Sequence, residues 1–165
     1  MVNKLRASRR PMQTPAPCHH RSTTRREAIA GAPRKPLILV VEDHEFARQA
    51  LGALLSAMDY DVIEAANGRD ALAQVAKGAR PDVILLDLMM PVMDGWEFMQ
   101  QQRRDWRLCT IPTIVVTGVA SHDPRCLEMP VVRFLRKPYT FEQLLAAIHA
   151  EVSAEFRAPA ARQTA

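Results

Sequence analysis

The sequence predicts an α/β domain with five parallel strands in one sheet and helices on both faces. Three observations lead there. Short runs of mostly branched apolar residues recur, such as Leu37-Ile38-Leu39-Val40-Val41 and Val83-Ile84-Leu85-Leu86. They are continuous rather than alternating, which suits strands buried on both sides. Stretches with apolar residues at helical spacing separate them, the pattern of βαβ units. Each run also ends on polar residues, and right-handed crossovers carry all the strand ends to one edge.

Residues 1–35 precede this pattern. They contain Pro11, Pro15, Pro17 and Pro33, show no periodicity, and offer too little apolar surface to offset chain entropy, so a disordered tail is expected. The tail carries nine Lys or Arg against one acid, Glu27; with a net charge of +4 for the chain, the remainder stands at −4. The pI of 9.3 therefore describes the tail and is no reason to expect the domain to bind nucleic acid. A basic, acid-poor tail has transit-peptide composition, but a solvated tail or an unused upstream start codon is the plainer reading. Cys18-His19-His20 lacks a second pair at zinc-ligand spacing. Cys18, Cys109 and Cys126 are odd in number and scattered, which suggests neither a disulfide framework nor a metal site and fits a reducing cytoplasm. No apolar run approaches the ~20 residues of a membrane span, and the N-terminus has no signal-peptide middle section.

Order is expected from Pro36 to about residue 155, with 156–165 frayed. Leu37 to Val41 forms the first strand and ends on Glu42-Asp43. Phe46, Ala47, Ala50, Leu51, Leu54, Leu55 and Met58 give a helix from about Glu45 to Met58 one apolar face. Tyr60 to Ala65 reads as a strand, Asn67-Gly68 as a turn, and Ala71, Leu72 and Val75 as a short helix closed by Gly78. The strand at 82–86 is followed by a helix from about Asp94 to Asp105, with Trp96, Phe98 and Met99 facing inward. Pro112 opens the strand Thr113-Ile114-Val115-Val116. Pro124 and Pro130 limit residues 119–130 to a short helix at most. Val131 to Leu135 is the fifth strand, and Thr140 caps a last helix with Gln143 at its third position. Phe141, Leu144, Leu145, Ile148 and Val152 line one side of that helix.

The stretch Val83 to Gly95 organises the rest. Its apolar run ends on Asp87, and burying an unpaired carboxylate would cost several kcal/mol or more. Asp87 therefore belongs at the rim of the sheet, where open α/β folds bind ligands. Glu42, Asp43, Thr117 and Lys137 stand at the other strand ends. Clustered carboxylates repel one another without a cation, and a hard divalent ion with oxygen ligands, Mg²⁺ above all, answers that repulsion. A carboxylate nucleophile with Mg²⁺, a lysine and a hydroxyl suits phosphoryl transfer.

Glu42-Asp43, the run from Asp87 through Met90-Pro91 to Asp94-Gly95, Thr117 and Lys137-Pro138 together resemble the receiver domain of two-component response regulators, over about residues 36–155. The resemblance implies a flavodoxin-like sheet of order 2-1-3-4-5 and phosphorylation of Asp87 by a histidine kinase or phosphotransfer protein. It implies that Asp43, Asp87 and the backbone carbonyl of Met89 hold Mg²⁺, with Glu42 acting through water. Thr117 would hydrogen-bond the phosphoryl group and Lys137 would pair with it. Thr117 and Phe134 would form the switch, and the Lys137-Pro138 bond would be cis. The interval from Thr117 to Lys137 is slightly short for the family, and Gly118 stands where the family often has Ala.

Because no second domain is seen after residue 155, the expected function is that of a stand-alone response regulator. It would signal through protein contacts to a downstream target or pass the group along a relay; a second copy of the chain is a further candidate partner, and no membrane is expected. Its own catalysis would be limited to self-phosphotransfer and slow autodephosphorylation, since an aspartate-nucleophile phosphatase needs a carboxylate where Met89 stands. The rivals are a phosphorylation-independent scaffold and a nucleic-acid-associated protein acting through the tail, whose phosphate contacts would be salt-sensitive and nonspecific. His44 reads as a solvated residue in the first helical turn, and Met89, Met90 and Met93 as gap-filling packing rather than copper ligands.

Overall fold

The structure, a computed structural model, describes residues 34–118 and 133–156. The remainder of the expected tail, its Cys18-His19-His20 group, residues 119–132 (with the first two residues of the expected fifth strand) and residues 157–165 lie outside the described residues.

The chain runs β1 (Leu37–Val41), α1 (Glu45–Ala57), β2 (Asp61–Ala65), α2 (Gly68–Ala76), β3 (Val83–Leu86), α3 (Gly95–Arg104), β4 (Thr113–Thr117), β5 (Arg133–Arg136) and α4 (Phe141–Phe156). The five strands form one parallel sheet in the order β2-β1-β3-β4-β5. This is the flavodoxin-like arrangement, with a change of winding direction between β1 and β3 that opens a crevice at their carboxyl ends.

Alternation along the strands supplies the two cores. Leu39, Val41, Ile84, Leu86 and Val115 face α2 and α3 and pack with Ala71, Val75, Trp96, Phe98 and Met99. Ile38, Val40, Val83, Leu85 and Ile114 face the other way and pack with Leu55 of α1 and Leu144, Ala147 and Ile148 of α4. Each fully buried Leu, Ile or Phe contributes about 1.5–3 kcal/mol relative to exposure, so these two layers carry most of the stability.

Local chemistry sets the element ends. Asp94 caps α3 and Glu97 returns the bond to the Asp94 N–H, a complete capping box. Thr140 Oγ1 accepts from the Gln143 N–H at 3.3 Å while Gln143 Oε1 accepts from the Thr140 N–H at 2.9 Å, as the sequence predicts. His44 is exposed at the start of α1, as expected, but stands just ahead of the first turn. It is the N-cap of α1, and its Nδ1 accepts from the Ala47 N–H at 3.3 Å.

Two further differences concern packing. The apolar face of α1 is two adjacent stripes rather than one. Leu51 and Leu55 turn toward the sheet, whereas Phe46, Leu54 and Met58 are 79%, 45% and 51% exposed. Both stripes repeat every four residues and both are apolar, so periodicity could not separate them. At the start of the domain, ordered contacts reach back past Pro36. The Arg34 guanidinium donates to both oxygens of the buried Asp82 carboxylate, which also accepts from the Leu37 N–H at 2.8 Å.

Where α3 gives way to β4, Gln102 is buried. Its Nε2 donates to the Ile111 carbonyl at 3.0 Å, and its side-chain oxygen accepts from the Thr113 hydroxyl at 3.1 Å.

Candidate functional site

Strand register brings the predicted residues together. Val41 pairs with Leu86, so Glu42 and Asp87 leave neighbouring strands side by side. The Asp87 N–H donates to the Val41 carbonyl at 3.0 Å, and the Glu42 N–H to the Ala65 carbonyl at 3.1 Å, which carries the ladder to the rim. Carboxylate oxygens of Glu42, Asp43 and Asp87 all lie within 4.8 Å of one another. Glu42 and Asp87 are buried, and Asp43 is exposed.

Lys137 completes the group from the end of β5. Its ammonium donates to Asp87 Oδ2 at 2.6 Å and to Glu42 Oε2 at 2.8 Å. Its N–H also donates to the Thr117 carbonyl at 3.0 Å, which ties the two last strand ends together. The other Asp87 oxygen, Oδ1, accepts from the Met89 N–H at 3.0 Å. Asp87 is therefore oriented from both sides. Thr117 ends β4, buried. The Lys137-Pro138 bond is cis, as the resemblance implies.

Burial draws the Lys137 pKa down, but its hydrogen bonds and charge interactions with Asp87 and Glu42 outweigh that and raise it above the usual lysine value. Because the folded pKa exceeds the unfolded one, this contribution to stability is fully present below the unfolded pKa, about 10.5. It is lost as pH rises through the folded value. The stability difference between wild type and Lys137→Met should therefore stay flat from pH 7 to 9 and shrink only in strong alkali. Urea midpoints across that range measure it, and a transition near neutrality would contradict the pairing.

Three oxygen-only carboxylate donors in so small a volume fit a hard divalent cation such as Mg²⁺ rather than a soft metal. The methionines of the following loop divide. Met90 is buried and Met93 packs against the core, as expected, but Met89 is 64% exposed. The turn that gives its N–H to Asp87 directs its side chain outward. Val92 in the same loop has φ 71°, an unfavourable value for a β-branched residue. Phe134 lies in β5, 40% exposed, so it is not the core aromatic that an edge strand could have supplied.

Sequence reasoning missed two residues near the site. Tyr139, two residues past Lys137, packs against the core layer of Ile38 and Val40. Burial pushes its phenol up, Lys137 opposes this, and the Glu42 and Asp87 charges add to it. Arg48 of α1 donates to the Glu42 carbonyl at 2.7 Å and the Asp43 carbonyl at 3.2 Å. A basic residue one helical turn past an acidic strand end was the available signal for Arg48.

Residues 38–149 match the response regulator receiver domain. Among curated proteins, the response regulator MprA of Mycolicibacterium vanbaalenii is 38% identical over 115 residues, 68% of this chain and 48% of that protein. The probable transcriptional regulator ycf27 of Porphyridium aerugineum is 35% identical over 117 residues, 70% of this chain and 47% of that protein. The chain thus spans about half the length of these relatives. Among solved structures, the chemotaxis response regulator CheY4 of Vibrio cholerae is 32% identical with a TM-score of 0.65, covering 71% of this chain and 98% of that one. The receiver domain of the sensor histidine kinase PA1611 of Pseudomonas aeruginosa is 28% identical, also at 0.65, covering 72% and 98%; it holds a magnesium ion in its active-site cleft. With the fold, the matched span and the acidic rim in agreement, the chain belongs to the response regulator receiver domain family.

Proposed function

We propose that Asp87 accepts a phosphoryl group from the phosphohistidine of a histidine kinase or phosphotransfer protein, and that the domain signals onward by protein contacts. One observation carries the reading: Asp87 is gripped by the Met89 N–H on one oxygen and by Lys137 on the other, beside Glu42 and Asp43. An Asp87 oxygen attacks phosphorus, the phosphorus–nitrogen bond to the donor imidazole breaks, and the imidazole leaves with the electron pair and takes a proton from solvent. Lys137 pairs with the new phosphoryl oxygens, and Thr117 supplies a hydroxyl toward them. Bound Mg²⁺ would be held by Asp43, Asp87 and the Met89 carbonyl, with Glu42 through water, and would neutralise phosphoryl charge. No carboxylate stands two residues after Asp87, so chemistry beyond self-phosphotransfer and slow autodephosphorylation is not expected. Phosphorylation adds about −1.5 to −2 charges beside Lys137, and the switch runs from there through Thr117 and Phe134.

A protein donor is favoured by the exposed stripe Phe46, Leu54 and Met58 on α1, the helix that starts directly after Asp43. Phe46→Ala should lower the rate of phosphotransfer from a cognate kinase about tenfold or more, in keeping with a buried aromatic anchor worth 2 kcal/mol or so. The rate with acetyl phosphate, which needs no docking surface, should not change. Phosphotransfer profiling against purified histidine kinases tests both the donor class and this surface. Equal losses with both donors would assign Phe46 to the fold instead, and no transfer from any kinase would argue for a scaffold.

A further inference from the structure

The acid pair Glu42-Asp43 sits in a short loop between β1 and α1. Arg48 reaches back from α1 and donates through Nη1 to both of them, at 2.7 Å for Glu42 and 3.2 Å for Asp43. The guanidinium is largely buried, its side chain 15% exposed, and its Nε lies 3.6 Å from Glu64 Oε2 on β2. Glu64 can lie there because Gly52, one turn further along α1, has no side chain; a Cβ at that position would collide with the Glu64 carboxylate. Gly52, Glu64, Arg48 and the two carbonyls thus form one continuous chain of contacts ending at the acid pair.

We infer that Arg48 is a positioning residue for the metal-binding acids: Glu64 aims its guanidinium, and the guanidinium fixes the loop from which Glu42 and Asp43 project. This rests on the reading of the site as a cation-assisted phosphoacceptor. Electrostatics and positioning make opposite predictions here. Arg48 is a cation beside an acidic cluster, so removing its charge alone should strengthen Mg²⁺ binding. If its office is to hold the loop, removing it should weaken binding, because partners that orient metal ligands are typically worth about 10–100-fold in affinity.

The test is calorimetric Mg²⁺ titration of the full chain as wild type, Arg48→Ala, Arg48→Lys and Glu64→Gln, paired with amide exchange of residues 42–46 without added metal. Arg48→Ala should bind Mg²⁺ about tenfold more weakly or worse, and its loop amides should exchange faster before any metal is present. Arg48→Lys, which keeps the charge but not the fork of donors, should fall between it and wild type. Glu64→Gln leaves the Arg48–carbonyl bonds possible, guards against a variant that fails to fold, and should weaken binding by a smaller factor. Unchanged or tighter Mg²⁺ binding in folded Arg48→Ala or Glu64→Gln, with unchanged loop exchange, overturns the inference. Wild-type protein that does not bind Mg²⁺ would instead overturn the site reading, and the loop-exchange comparison separates the two failures.

Discussion

Asp87→Asn should abolish phosphorylation altogether. The substitution is nearly isosteric. The asparagine oxygen can still accept from the Met89 N–H, as Asp87 Oδ1 does at 3.0 Å. An amide, however, is not a usable nucleophile toward phosphorus, and no neighbouring acid takes its place. Glu42 is buried behind Lys137, which holds its Oε2 at 2.8 Å. Asp43 lacks the paired restraint that orients Asp87. Removing one of three clustered negative charges relieves repulsion, so the variant should be no less stable than wild type despite losing one Lys137 contact. Intact-mass measurement after acetyl phosphate and Mg²⁺ treatment should find one added phosphoryl group on wild type and none on the variant. Stoichiometric label surviving in Asp87→Asn would place the acceptor elsewhere.

Gly95→Ala should cost both stability and rate. Gly95 opens α3, and its N–H donates to the Leu88 carbonyl at 3.0 Å, closing the loop that carries Asp87. A Cβ on Gly95 would stand 2.5 Å from the Asp87 carbonyl oxygen and 2.7 Å from the Leu88 Cα. Both are main-chain atoms, so no side-chain rotation relieves the overlap and the β3–α3 junction itself must shift. Overpacking of this kind costs about 1–3 kcal/mol, and a backbone obstacle belongs at the upper end. Displacement of the Asp87 carboxylate by a fraction of an ångström to an ångström should slow phosphorylation about tenfold to a hundredfold. Urea denaturation and acetyl phosphate kinetics measure the two effects. A variant matching wild type in both would mean that the junction opens freely.

Much of this architecture was legible in the residues. Continuous apolar runs ending on polar side chains located the three central strands β1, β3 and β4. The half-exposed edge strands β2 and β5 carry charged residues within them, and the sequence bounds them more loosely. Asp94 and Thr140 announced their helix starts because capping leaves a specific local signature. The rim cluster followed from topology, since parallel strands deliver their ends to one edge. What escaped was orientation within an element. Phe46 and Leu51 are equally apolar, and only the sheet beneath α1 decides which is covered. Met89 is as apolar as Met90, yet the turn that binds Asp87 directs it into solvent. Arg34, Arg48 and Glu64 depend on contacts across strands and helices that no periodicity encodes. The role of Arg34, whose partner Asp82 lies far along the chain, belongs to the folded chain and not to its neighbours in sequence.

Gln102 of α3 touches the start of β4, and what it fixes there is felt at the other end of that strand. Its amide grips the Ile111 carbonyl and the Thr113 hydroxyl at the foot of β4, four residues and about 13 Å below Thr117 at the strand rise of 3.3 Å per residue. It therefore acts as a depth stop. Strand alternation means that a slip of one residue would exchange the faces of the whole strand and raise Gly118, or leave Val116, where the hydroxyl belongs. Damage to Gln102 would be felt at the rim as a part delivered to the wrong height, with every rim residue itself intact.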